Sequence, residues 1–167
     1  MMMQKLYLYL FVFIGFGMLS YCSDNNAGCE NIRELKIPPF LKKNSDGWEN
    51  YSVPIILTTD TVKGYAPGTG SPEAPVIHFY ASKIRGDHCF KQVLFSKRED
   101  LLNRKLKQMQ NWKYIEIRLI KRKKVAETKF WINIFMKLEI DGKIDSGSDE
   151  VSVEKIDGAW YIRNLPT

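Results

Sequence analysis

Apolar residues fall along this chain in three patterns, and each predicts a different kind of element. From Leu6 to Leu19 they form a run broken only by Gly15 and Gly17. From Val76 to Ile84 they recur at helical spacing, with Val76, Phe79, Tyr80 and Ile84 on one face. Ser71-Pro72-Glu73 reads as the start of that helix, Ser as N-cap and Pro at N1, and Gly86 as its end. Asp87 is placed to cap a short second helix, His88 to about Leu94. Ser96-Lys97-Arg98-Glu99 reads as a capping box opening a third, with Leu102, Leu106 and Met109 along one side. After Asn111 the period changes from about 3.6 to 2, the signature of strands.

Trp112 to Ile120 alternates, with Ile115, Ile117 and Leu119 on one face. The tetrad Lys121-Arg122-Lys123-Lys124 is expected to form a hairpin tip leading into a long strand, Val125 to Ile140. Phe130, Ile132, Ile134, Met136, Leu138 and Ile140 share one face of it. The other face is polar apart from Trp131 and Phe135. Asp141-Gly142 and Asp157-Gly158 are hairpin turns bounding a strand from Lys143 to Ile156, where Gly147 suggests a bulge or bend. Upstream, residues 22–50 read as a polar tether and residues 51–70 as a strand (Ser52 to Val62) followed by a Gly/Pro loop. Helices followed by an antiparallel meander give an α+β class for residues 71–167.

This order resembles the nuclear transport factor two-like superfamily, which includes ketosteroid isomerase and polyketide cyclases. The resemblance spans about Ser71 to Pro166. It is carried by Ser71-Pro72-Glu73 with Phe79-Tyr80, by Arg85-Gly86-Asp87, and by the closing hairpin Val151 to Ile162 with its Lys155-Ile156-Asp157-Gly158 turn and Trp160. It implies a cone-like, curved sheet wrapped around the N-terminal helices, and often a homodimer. It also implies an apolar pocket, for which Phe79, Phe130, Ile132, Ile134 and Met136 are the candidate lining.

The N-terminal run is short of the ~20 residues that span a bilayer, and Lys5 precedes it, which matches a signal peptide over residues 1–21. Leu19-Ser20-Tyr21-Cys22 resembles a lipobox at Leu19, Ser20 and Cys22, with Tyr21 departing from the pattern. The expectation is lipid attachment at Cys22 and export to a bacterial membrane, facing periplasm or cell surface. Plain secretion and a retained anchor are the alternatives. Cys29 and Cys89 then form a disulfide or remain two unpaired thiols.

Candidate chemistry is sparse. The presumed inner face carries no ionisable group, and His78, His88 and Asp87 are the only candidates for acid–base work elsewhere. The histidines and cysteines have no metal-ligand spacing, and no phosphate loop or cofactor motif is present. The basic tetrad either faces anionic headgroups or is a solvated turn. A net charge of +6 without a recognition motif argues against a nucleic-acid partner. The functional expectation is a lipid-anchored envelope protein that binds a small apolar ligand or an envelope partner without catalysis. A ketosteroid-isomerase-like enzyme and a purely structural component are the alternatives.

Overall fold

The computed structural model describes residues 37–62 and 70–165, with the backbone of two short strands, β1 (Arg33–Glu34) and β3 (Tyr65–Ala66), paired in parallel. The signal segment, Cys22 and Cys29 lie outside the described residues. Between these short strands runs β2 (Trp48–Thr58), and after them α1 (Ala74–Arg85), a 3₁₀ turn (Cys89–Val93) and α2 (Glu99–Gln108). Four strands follow: β4 (Lys113–Ala126), β5 (Lys129–Ile140), β6 (Lys143–Ile156) and β7 (Ala159–Asn164). They join β2 in one antiparallel sheet of order β2-β4-β5-β6-β7, so the fold is α+β, as the sequence pattern predicts.

Helix α1 touches β2, β4, β6 and β7, and every residue from Ala74 to Ser82 is buried, His78 and Ser82 included. The sequence predicts one apolar face; the helix is instead enclosed on all sides as far as Ser82, and only Lys83, Ile84 and Arg85 in its last turn reach solvent. It begins later than expected. Glu73 occupies the N-cap and Pro75 the first turn, while Ser71 accepts the Ala74 N–H in a preceding turn. Gly86 ends it at φ +77°, its N–H bonded to the Ser82 and Lys83 carbonyls. The capping box at Ser96 is not formed. Ser96 Oγ accepts the Arg98 N–H in a tight turn, and α2 starts at Glu99 with none of its residues fully buried.

Both Asp-Gly turns are tight hairpins with positive φ at each residue (Asp141 50°, Gly142 76°; Asp157 49°, Gly158 88°). Gly147 makes no bulge, because the β5–β6 register runs unbroken from Lys129↔Glu154 to Ile140↔Lys143. The bulges lie in β4 instead. Tyr114 pairs with Leu138 and Glu116 with Lys137, which leaves Ile115 as an extra residue; Leu119 pairs with Ile134 and Lys121 with Asn133, which leaves Ile120. Each bulge reverses which face the following residues take. Ile115 therefore leaves the inner face and Tyr114 joins it, correcting the simple alternation.

The same geometry corrects the basic tip. Lys121, Arg122, Lys123 and Lys124 lie within β4, paired with β5, and the turn falls at Glu127-Thr128. After the bulge at Ile120, Arg122 pairs with Ile132 on the inner face. Lys121 and Lys123 pair with Asn133 and Trp131 on the outer one. Arg122 and its neighbours therefore part company.

Candidate functional site

Arg122 is received on the inner face by a buried acid. Glu73 is fully buried at the start of α1, and its Oε1 accepts Arg122 Nη1 (3.0 Å) and the Tyr51 hydroxyl (3.0 Å). Arg122 Nε reaches Glu49 Oε2 at 3.0 Å, and the guanidinium lies 3.6 Å from the Phe40 ring centroid and 5.2 Å from that of Phe130. Burial, then the Glu73 carboxylate, pushes the Tyr51 phenol far above its ordinary value, so it stays a donor. Glu73 Oε2 has no hydrogen-bond partner among the described residues. This knot ties β2, β4 and α1 together, and its acid is closed to solvent.

A second polar cluster closes the far end of α1. Asp87 accepts from Ser82 Oγ, Arg85 Nε (2.7 Å) and the Cys89 N–H (3.0 Å), although the 3₁₀ turn begins at Cys89, so that His88 and not Asp87 occupies its N-cap. Burial works to raise the Asp87 pKa, but these donors together hold it below the usual carboxylate value. His78 Nε2 lies 2.7 Å from the Cys89 carbonyl, and burial keeps this histidine below its ordinary pKa, thus neutral and donating. His78 and Asp87 are scaffold here. A hollow of about 720 Å³ beside this cluster is lined by Lys83, Arg85, Lys91 and Lys107, among others. Three of these cations sit in the last turns of α1 and α2, where they offset the helix dipoles.

The arrangement with most chemical scope lies over the inner face of the paired strands β5 and β6. There a hollow of about 310 Å³ has Trp112, Met136, Leu138 and Ile140 on one side and Asp145, Gly147 and Asp149 on the other. The register puts Asp145 opposite Leu138, Gly147 opposite Met136 and Asp149 opposite Ile134, so both aspartates belong to the inner face. The sequence pattern missed them because only β5 was read as that face. Two phenols pack against the lining. The Tyr80 hydroxyl points to Met136 Sδ (3.8 Å), and Tyr114 is the register partner of Leu138 with its ring 6.4 Å from that of Trp112. Tyr114 Oη is buried and has no hydrogen-bond partner among the described residues; burial raises its pKa, so it remains a neutral donor. The hollow has an apolar side from β5 and a polar side from β6, where Asp145 is exposed and Asp149 half-buried. Tyr114 lies behind its lining, and such a groove can hold a small ligand of mixed character.

Of the residues expected to line a pocket, Phe79, Phe130, Ile132 and Ile134 are packed inside the core cluster, and Met136 alone reaches this hollow. Cys89 is buried and disulfide-bonded, its partner lying outside the described residues. No group of acids, histidines and cysteines among the described residues could hold a metal ion. No helix among them is long and apolar enough to cross a membrane.

No known protein family matches the chain, and no curated protein does. Among solved structures it is similar to a SEC-C motif containing protein from Rhodopseudomonas palustris, at 19% identity over 64% of this chain and 85% of that one. With a TM-score of 0.48, that likeness carries no further argument.

Proposed function

We propose that this chain is an exported, lipid-anchored envelope domain of the nuclear transport factor two-like kind, which binds a small, largely apolar ligand at the β5–β6 hollow without transforming it. The observation that carries the reading is Tyr114 Oη, a buried donor with no described partner, on a residue that neighbours Trp112 and Leu138, the apolar side of the hollow. Buried hydroxyls are seldom left unpaired, and a ligand oxygen would satisfy this one. The bonded state of Cys89 supports an oxidising compartment, with Cys29 as the proposed partner once Cys22 carries lipid.

The test uses 6-propionyl-2-dimethylaminonaphthalene, an uncharged fluorophore with a ketone. Its emission should shift to the blue on wild-type protein. Tyr114→Phe should weaken that binding through loss of the donor, and Gly147→Val through filling the hollow. A Cβ at Gly147 meets nothing within 4 Å, so the second change occupies space without strain. Binding that neither substitution alters would refute the site. Diacylglycerol mass on the mature Cys22 peptide tests the anchor.

A second reading is favoured by Asp145 and Asp149. A carboxylate on the inner face beside a phenol is what a ketosteroid-isomerase-like proton transfer requires. Turnover of a β,γ-unsaturated ketone that Asp149→Asn abolishes would replace binding with catalysis.

A further inference from the structure

The outer face of the sheet carries a second feature, assembled by the β4 bulges. Trp48, Lys123 and Trp131 pair in one row across β2, β4 and β5; Asn50, Lys121 and Asn133 form the next. Lys121 Nζ caps the Trp48 ring at 4.7 Å, which leaves Trp48 covered, whereas Trp131 is 37% exposed. Lys121, Lys123, Lys129 and Lys137 share this face, and none has an acidic partner within ion-pair distance among the described residues. The acids Glu116, Glu139 and Glu154 are already paired, with Arg118, Lys113 and Arg163; Glu150 alone is not. The result is an open tryptophan set in a net-positive surface.

We propose that this face docks on a bilayer containing anionic phospholipid, Trp131 entering the headgroup layer while the four lysines meet lipid phosphates. An amphipathic ring favours that depth, and each lysine near such a surface strengthens attachment by about fivefold. The proposal rests on the anchored reading above, since a tethered domain meets the bilayer repeatedly. Unlike the predicted basic tip, it uses only Lys121 and Lys123 of the tetrad, because Arg122 is committed to Glu73.

The test takes the full chain, as isolated from its membrane, into phosphatidylcholine vesicles with brominated acyl chains. Half the samples also contain phosphatidylglycerol. Phosphatidylglycerol should deepen tryptophan quenching, and about 0.5 M salt should relax it by screening. Trp131→Phe should remove the phosphatidylglycerol-dependent part. Lys121→Gln with Lys123→Gln should weaken docking by about 25-fold. Quenching that ignores headgroup charge, or survives Trp131→Phe, overturns the proposal. So does an emission shift with soluble polygalacturonate but no vesicle response, which would assign the face to an anionic polysaccharide. Lipid found on Cys22 with no such quenching removes the face and leaves the anchor. Quenching with Cys22 unmodified removes the anchor and leaves the face.

Discussion

Replacing Arg122 with leucine should be among the most damaging single changes available on this sheet. Glu73 is fully buried and the Arg122 side chain is only 19% exposed, so the substitution strands a carboxylate whose one remaining donor is Tyr51. Breaking a buried pair from one side costs about 3–5 kcal/mol, because the partner's charge stays desolvated. For a domain of this size that corresponds to a fall of roughly 10–15 °C in Tm. Glu73→Leu combined with Arg122→Leu should recover part of the loss, since no buried charge is then left alone and Glu49, at 30% exposure, stays hydrated, while the buried Tyr51 hydroxyl loses its acceptor. Arg122→Lys should fall between, keeping the charge but losing the fork that bridges two acids and the stack on Phe40. Urea and thermal unfolding by circular dichroism measure all three. A loss below about 1 kcal/mol for Arg122→Leu, or a double variant no better than the single one, would refute the knot as the reason Arg122 faces inward.

Other outcomes follow from the same geometry. Tyr114→Phe should raise stability by about 1 kcal/mol in the ligand-free protein, because it removes a buried hydroxyl with no described partner, while weakening probe binding; unfolding with and without probe separates the two. His78 has its folded pKa below the ordinary 6.5, so the unfolded chain takes up a proton first as pH falls. Stability should drop from pH 6.5 downward until the folded pKa is reached, and His78→Gln should flatten that slope in pH-dependent urea melts. Asp87, also held low, should add a second loss as pH falls below its ordinary 3.8, absent in Asp87→Asn. Gly86→Ala should cost about 1 kcal/mol, since φ is +77° there although space is free.

Helix α1, the Asp-Gly turns and the inner face of β5 were legible because each rests on a short-range rule. Gly86 stops the helix through its own φ, and Phe130 to Leu138 alternate without interruption. The faces of β4 were not legible. Ile115 and Ile120 are as apolar as their neighbours, and only pairing with β5 shows that each is one residue too many. The knot escaped for a related reason. Glu73 satisfies the rule for an acid in a first helical turn, so nothing local marks it as the partner of an arginine 49 positions away. Asp145 and Asp149 sit in a stretch so polar that it reads as solvent-facing. Asp145 is exposed and Asp149 half-buried, and only the register set by the turn at Asp141-Gly142 places both on the face they share with Leu138 and Ile134.

Ile120 also governs how this strand tolerates a change of length. Losing that one residue would let Leu119↔Ile134 run straight into Lys121↔Asn133 and Arg122↔Ile132, so Arg122 would stay on the inner face. Closing the bulge with Ile120 retained would instead bring Lys121 opposite Ile132 and turn Arg122 outward. The turn Glu127-Thr128, three positions past Lys124, has no such slack, because two residues are all that close the Ala126↔Lys129 pair. Single-residue deletions through residues 113–128 ought therefore to be absorbed best at the bulges Ile115 and Ile120, and solubility engineering that treats the four basic residues as interchangeable surface would remove the charge that buried Glu73 depends on.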